Sequence, residues 1–425
     1  MHTVVIGAGF GGFRVMAGLG KDKAQKITII DRHDYNFFPP LIYQVAAGFL
    51  SPSDISYPLR KYIVNHDNIS YRQGIFQAVD TQRQVVILDN GEVAYDRLVL
   101  AMGSEPNYFG NENIEKHAFP MKRLSDSIKI RNRLLHQFNY AATLPENERE
   151  PYLRIVVAGG GPSGVELAGV LSEIRNDIFA REYPEFRNTA GSVELVTADP
   201  VLLAPMSEKS QQYAKKELED YGVKITLSDP VKDYDGSTVT LFSGQQIETK
   251  TMIWVAGVQC KRVEGLQDAD FTERGNRLLV DDNLKLINYD NIYALGDIAL
   301  CTSDVKYPQG HPQLGQVAMS QGKYLGKKLR INAKMTPYAY KHRGDMAMVG
   351  RLRAVADIDN LSFGGFTAWV TWVWIHIIAL STAKNRIATT YNWMIAFFTR
   401  NQSMRMEMSS RAIEEKMHKK GKESL

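Results

Sequence analysis

The sequence predicts an α/β protein with two Rossmann-like dinucleotide-binding domains and a C-terminal helical segment. Three observations carry that prediction. A β-branched strand runs straight into a GxGxxG turn at the start of the chain. The same pattern returns about 150 residues later. The most apolar stretch lies near the end, rich in tryptophan and followed by basic residues.

The first pattern occupies residues 3–31. Thr3-Val4-Val5-Ile6 reads as a buried strand. Gly7 makes the tight turn, Gly9 lets a pyrophosphate approach the backbone, and Gly12 lets helix and strand pack closely. The phosphates are expected on the helix N-terminus, where N–H groups and the dipole favour negative charge. A second strand, residues 26–31, ends in Asp31, placed to accept from a ribose. Past it, residues 32–46 form an aromatic, Pro-rich turn able to line a flat ring, with a new helix starting at Pro40-Leu41. Short strands follow, with a hairpin signal at Asn90-Gly91. Residues 95–104 form a buried strand leaving through the small residues Ala101 and Gly103, which admit a ligand at the strand's carboxyl end. A helix is expected over residues 125–140 and a polar linker over 144–151.

The second pattern runs from Leu153 to Glu166, with glycines at 159, 161 and 164 and a helix after them. Two such units imply two dinucleotides in one chain. The partner strand ends in Thr197-Ala198-Asp199 instead of an immediate acid. A Thr hydroxyl can still bond a ribose, and no Arg stands beside it for a 2′-phosphate, which favours NADH over NADPH. Glu166 falls in the first helical turn, either as a carboxylate favoured by the dipole or as a group aimed at a bound nicotinamide. Burial would raise its pKa. Residues 250–258 and 291–297 are further strands with small-residue exits, the second closing on Gly296-Asp297. A helix is expected to begin within residues 311–321.

Composition bounds the rest. The chain has 425 residues, enough for two or three domains, and its 44% hydrophobic and 23% charged fractions are those of a globular enzyme. A net charge of +4 gives no argument for nucleic acid. Two cysteines, Cys260 and Cys301, offer no CxxC and no metal-ligand spacing. That fits a reducing compartment and argues against a disulfide reductase. With the first strand at residue 3, no secretory signal is expected.

The tail reads as a membrane-surface element. Residues 344–357 form an antiparallel hairpin. Residues 363–383 carry Trp369, Trp372 and Trp374, then Lys384 and Arg386; residues 387–398 add Trp393. The apolar run is shorter than the roughly 20 residues a spanning helix needs, and tryptophans beside basic residues suit the interface. A helical hairpin lying in one leaflet is expected, and a basic tail over 405–425 near anionic lipid.

These residues resemble the two-dinucleotide-binding flavoproteins and look most like type II NADH dehydrogenases, the single-chain, non-proton-pumping NADH:quinone oxidoreductases. The matching stretches are the first fingerprint with Asp31, Phe38 to Ala46, Gly159 to Glu166, Ile253 to Val258, Ala294 to Asp297 and Gly315 to Ala318. The resemblance implies FAD on the first unit and NADH on the second. It also implies a quinone substrate, ubiquinone or menaquinone, and a homodimer peripheral to the cytoplasmic face of the cell membrane, with no nucleic acid and no metal. Expected domains are 1–115 and 261–335 for FAD, 116–260 for NADH and 336–425 for the membrane segment. Cofactor contacts are expected from Gly7, Gly9, Phe10, Gly11, Gly12, Asp31, Arg32, Pro40, Ala101, Gly103, Asp297, Gln316 and Val317, and from Gly159, Gly161, Pro162, Gly164, Thr197, Ala256 and Gly257. Glu166 and Gln316 are the candidate catalytic residues. The family's quinone-side helix usually reads Ala-Gln-x-Ala-x-Gln; here Gln316 matches, while Ser320 or the displaced Gln321 stands for the second glutamine. Rival readings are a sulfide:quinone oxidoreductase-like enzyme working through cysteines, and an NADH-sensing membrane-associated binding module.

Overall fold

A computed structural model describes residues 1–176, 180–186, 191–331 and 336–399. The expected basic tail over 405–425 lies outside the described residues. Contacts divide the chain into two compact units. The first comprises Met1–Phe37, Ser56–Asn107 and Val258–Arg343; the second comprises Phe38–Ile55, Tyr108–Gly257 and Gly344–Leu425.

The first unit is organised around a five-stranded parallel sheet. Its order is Ile292–Ala294, Arg97–Leu100, His2–Ile6, Lys26–Asp31 and Ile69–Gln73. His2–Ile6 sits centrally, and Val4, Val5, Ile27 and Ile29 are fully buried. A parallel sheet covered on both faces wants continuous β-branched runs, which these strands supply. The helix Phe10–Leu19 packs closely on the helix Gly315–Ile331. A Cβ on Gly322 would stand 2.3 Å from the Gly11 carbonyl oxygen, so the two backbones meet where only hydrogen fits. The small antiparallel sheet Phe76–Asp80, Val85–Leu88 and Gly91–Ala94 completes this unit's meander. Its tight turn is Asp89-Asn90, one residue earlier than expected, because Gly91 at φ +117° already pairs with Leu88.

The second unit repeats the sheet. Its parallel order is Phe119–Pro120, Thr251–Trp254, Arg154–Ala158, Ser192–Val196 and Val223–Thr226. The helix Pro162–Ile174 is buried along almost its whole length, since the three-stranded sheet Asp345–Gly350, Arg353–Ile358 and Leu361–Gly365 packs beside it. Phe38–Ile55 belongs to this unit. It contains the 3₁₀ turn Pro39–Leu41 and the short helix Ile42–Ala46, which packs on the helix Leu124–Ala142.

Two further local expectations are corrected. The expected linker contains the 3₁₀ turn Glu146–Glu148 and the helix Glu150–Leu153, with Pro151 in the first turn, where its missing N–H costs nothing. The C-terminal hairpin begins later than expected: Phe363 to Gly365 is strand, and the helices are Phe366–Ala379 and Ala383–Thr399. Gly364 and Gly365 are poor helix formers, and a Cβ on Gly364 would lie 3.1 Å from the Tyr213 ring.

The second of these helices is fastened by polar contacts. Asn385, only 2% exposed, donates to the Ser53 carbonyl at 3.1 Å and the Asp54 carbonyl at 2.7 Å. Asn392 donates to the Asp54 carboxylate at 2.8 Å, and the Trp393 indole N–H donates to Gln44 Oε1 at 2.7 Å. The outer faces are apolar: Phe366, Trp374, Ile375, Ile378, Ile387, Tyr391 and Met394 are exposed. Among the described residues, no helix is long and apolar enough to cross a membrane.

Candidate functional site

The two glycine turns have the same construction. Gly7 takes φ +96° and Gly159 takes φ +126°, which an L side chain rarely adopts. A Cβ at Gly12 would stand 1.9 Å from the Gly7 carbonyl oxygen, and one at Gly164 would stand 1.8 Å from that of Gly159. These glycines are required by the protein's own backbone. Gly9 and Gly161 are different: no protein atom lies within 4 Å of a Cβ built on either. Both are N-caps of the following helix, with no side-chain cap and no acid in the first turn. The space there is open, and an uncapped helix N-terminus suits a pyrophosphate. Glu166, expected in the first turn, is the fifth residue of Pro162–Ile174 and falls in the second, because the helix already starts at Pro162.

In the first unit the ribose acid is preorganised. Asp31 accepts from the Ala8 N–H at 2.7 Å and the His33 N–H at 2.8 Å, which fixes both carboxylate oxygens. It borders a cavity with Gly7, Arg32, Met102 and Gly103, an arrangement that fits the adenosine end of FAD. Glu105, Lys261 and Arg262 also line it, and Arg32 pairs with Glu105 at 3.2 Å. Sequence reasoning missed these three because no spacing rule links residues 105 and 261 to a strand end at 31.

Asp297 accepts from Ser104 Oγ at 2.6 Å, beside Gly296 at φ +75°. Ala101 is 9% exposed, and Gly103 takes φ +71° at the neighbouring strand exit. Gln316 stands in the first turn of Gly315–Ile331, and its Oε1 accepts from the Arg343 N–H at 3.3 Å. Val317 is buried, and a Cβ on Gly315 would lie 2.7 Å from the Phe10 ring. Gln321 points elsewhere: it is 1% exposed and accepts from the Gly296 N–H at 2.7 Å, bracing the Gly-Asp turn. Ser320 is half-buried on the same helix. The Cys260 thiol donates to the Asp297 carbonyl at 3.3 Å, and Cys301 is buried with its thiol pKa raised by desolvation.

In the second unit, the Ala256 and Gly257 exit follows the strand Thr251–Trp254, whose successor Val255 closes against Gly159. Pro162 occupies the first helical position. Thr197, 4% exposed, sits at the end of Ser192–Val196. Pro40 belongs to this unit, in the 3₁₀ turn Pro39–Leu41.

Glu166 is a strongly perturbed carboxyl of this unit. It is 8% exposed, and its Oε1 accepts from the Met348 N–H at 3.3 Å. Burial, only partly offset by the Met348 bond, pushes its pKa to about 8. Tyr43, 1% exposed, directs its hydroxyl to the Met348 sulfur at 3.8 Å and receives Gln44 Nε2 at 3.1 Å. Burial and then the charge of Glu166 hold the Tyr43 pKa well above its usual value. Trp372 stacks on His376 at 4.0 Å between ring centroids, and desolvation lowers the His376 pKa to about 4. Near neutral pH the Glu166 carboxyl is thus shifted toward its protonated form and the His376 ring toward its neutral form. Among the described residues, no group of three His, Cys, Asp or Glu side chains could hold a metal ion.

Known proteins resemble the chain throughout. The family model for pyridine nucleotide-disulphide oxidoreductases matches residues 1–322, and that for the NDH2 C-terminal domain matches residues 342–401. Type II NADH:quinone oxidoreductase NdhA of Mycobacterium tuberculosis is 32% identical over 425 residues, spanning 97% of this chain and 90% of the relative. Its paralogue Ndh is 31% identical over 416 residues, spanning 94% and 88%. NDH2 of Plasmodium falciparum superposes with a TM-score of 0.87 at 19% identity, covering 96% of this chain and 99% of that one. The sulfide:quinone oxidoreductase of Aquifex aeolicus gives a TM-score of 0.70 at 19% identity, covering 94% and 96%, a likeness of fold. With two dinucleotide cradles followed by the NDH2 C-terminal domain, the chain belongs to the type II NADH:quinone oxidoreductase family.

Proposed function

We propose that the chain is a single-subunit flavoprotein that oxidises NADH and reduces a membrane quinone to quinol without pumping protons. The observation that carries this reading is the pair of matched glycine cradles, each open where a pyrophosphate needs room. The net reaction takes NADH, a proton and quinone to NAD⁺ and quinol. FAD, when bound, supplies the two-electron redox chemistry between donor and acceptor.

The chain's own groups do the rest. The uncapped N-terminus at Gly9 and the fixed carboxylate of Asp31 hold pyrophosphate and adenosine ribose of FAD. Asp297, oriented by Ser104, accepts from ribitol hydroxyls. Gly161, Pro162 and Thr197 hold NADH. Glu166, kept neutral below pH 8, presents an O–H to the nicotinamide carboxamide or to the acceptor side of the reaction. Gln316 contacts the quinone.

Trp374, Ile378 and Ile387 lay the C-terminal helices on the cytoplasmic face of the cell membrane, so the quinone arrives from lipid to a homodimer held peripherally there. Anaerobic titration tests the whole reading. NADH should bleach the visible flavin band, and a short-chain quinone should restore it. A flavin that NADH leaves oxidised would refute the donor assignment. Chemical cross-linking in mild detergent should give a dimer.

A further inference from the structure

We propose that Asp199, two residues beyond the strand end, is the carboxylate that selects NADH over NADPH, with Thr197 positioning it. The proposal rests on the reading of the second cradle as the NADH site. In this fold, the residue ending the strand after the glycine helix faces the adenosine ribose, and an acid there accepts from the 2′-hydroxyl. The first cradle follows that rule, with Asp31 on the Ala8 N–H. The second cradle puts Thr197 at the corresponding place. Its side chain fills the space over Gly160, where a Cβ would stand 2.9 Å from Thr197 Cβ, Cγ2 and Oγ1. A threonine brings a hydroxyl to that point but no charge to oppose a 2′-phosphate.

Asp199 supplies it. Although exposed, it is turned back to the strand end: Thr197 Oγ1 accepts from the Asp199 N–H at 3.2 Å and lies 3.5 Å from Asp199 Oδ2 as donor. The loop is held from its other side as well. The Asp199 carbonyl accepts from the Ser228 N–H at 3.1 Å, and the Thr197 carbonyl from the Asp229 N–H at 3.2 Å. That pairing sets a second acidic residue beside the strand end, Asp229, whose Oδ1 accepts from the Ser243 N–H at 2.9 Å. Neither residues 197–207 nor residues 226–231 contain Lys or Arg. A ribose diol meets acceptors here. A 2′-phosphate dianion meets two carboxylates and no cation from these segments.

The test uses the holoenzyme with ADP-ribose and its 2′-phosphate as calorimetric probes, together with steady-state kinetics for NADH and NADPH. Asp199→Ala should weaken ADP-ribose binding and raise KM for NADH by about tenfold, the worth of a hydrogen bond to a charged group, leaving kcat at saturating NADH unchanged. The same change should tighten the 2′-phosphate probe, so that the NADH/NADPH ratio of kcat/KM falls by about a hundredfold. Thr197→Val should move both in the same direction by less. Thr197→Asp added to Asp199→Ala should restore the preference by returning an acid to the strand end. Equal affinities in wild type and Asp199→Ala for both probes would overturn the proposal, as would wild type that binds the 2′-phosphate more tightly. A wild-type protein that binds neither probe would instead remove the NADH-site reading on which the proposal stands.

Discussion

Replacing Glu166 by Gln should flatten the alkaline side of the protein's stability profile. The carboxyl is 8% exposed and titrates at about 8 instead of its ordinary 4.5, with burial as the leading cause. Its folded-state pKa is raised, so between pH 4.5 and 8 the folded chain binds more protons at this site than the unfolded chain. Stability therefore falls as pH rises through that window. The slope is about 1.4 kcal/mol per pH unit, and the full loss is on the order of 4–5 kcal/mol by pH 9. Glutamine keeps the shape and the acceptor for the Met348 N–H but cannot ionise.

The assay is thermal unfolding of holoenzyme at pH 5, 7 and 9. Wild type and Glu166→Gln should melt together at pH 5, and the variant should melt several degrees higher at pH 9. Turnover supplies the second readout. The variant should lose the alkaline limb of the pH–rate profile near pH 8 and run slower throughout, with FAD still bound. Melting curves that stay parallel from pH 5 to 9 would show a solvated, ionised carboxylate and refute the reasoning. His376 contributes with the opposite sign: with its pKa lowered to about 4, the unfolded chain gains the proton first as pH falls below 6.5, so this residue weakens the fold on the acid side.

Gly9→Ala and Gly161→Ala should fold normally, since no protein atom lies within 4 Å of either new Cβ, but the first should lower the ratio of flavin to protein absorbance and the second should raise KM for NADH. Gly322→Ala should instead cost about 1–3 kcal/mol through overpacking against the Gly11 carbonyl, read as a drop in melting temperature. Asn385→Ala removes the bonds to the Ser53 and Asp54 carbonyls and should cost about 1 kcal/mol, with earlier proteolytic release of the C-terminal helix. Trp374→Ser with Ile378→Ser should abolish pelleting with anionic vesicles and leave the melting temperature unchanged, because both side chains are more than 60% exposed at 63%. Cys260→Ser with Cys301→Ser should retain NADH:quinone turnover; abolished turnover would revive a cysteine-based mechanism.

The cradles were legible in the sequence because their logic is local. Gly7, Gly12 and Asp31 lie within one strand-turn-helix-strand unit, and each is fixed by backbone sterics that a short motif encodes. Long-range packing hid the rest. Nothing in the order of residues said that Gln321 would turn inward to the Gly296 N–H, since that follows from how the helix Gly315–Ile331 seats on the helix Phe10–Leu19. The bond to Glu166 comes from residue 348 and its charge acts on Tyr43, two segments with no shared pattern. The helix start at Phe366 was missed for a different reason: an apolar run reads alike as helix or strand, and the glycines at 364 and 365 decide it only once Tyr213 is known to lie against them.

The second unit joins three things that the sequence presents separately. Phe38–Ile55 supplies Tyr43 and Gln44, the C-terminal helices supply Trp372 and Trp393, and the glycine helix supplies Glu166. The Trp393 N–H bond to Gln44, and the Gln44 bond to Tyr43, run from an amphipathic helix with an exposed apolar face to the neighbourhood of a neutral carboxyl. Each member is buried or half-buried, so an altered seating of that helix leaves polar atoms unpaired, at about 1–3 kcal/mol each. The environment that keeps Glu166 protonated is thus partly built by the segment proposed to rest on lipid. If so, detergent extraction and vesicle binding should move the alkaline limb of the pH–rate profile in wild type, and Gln44→Ala should remove that difference. An alkaline limb indifferent to lipid in both proteins would show that the helices anchor the chain without tuning the carboxyl.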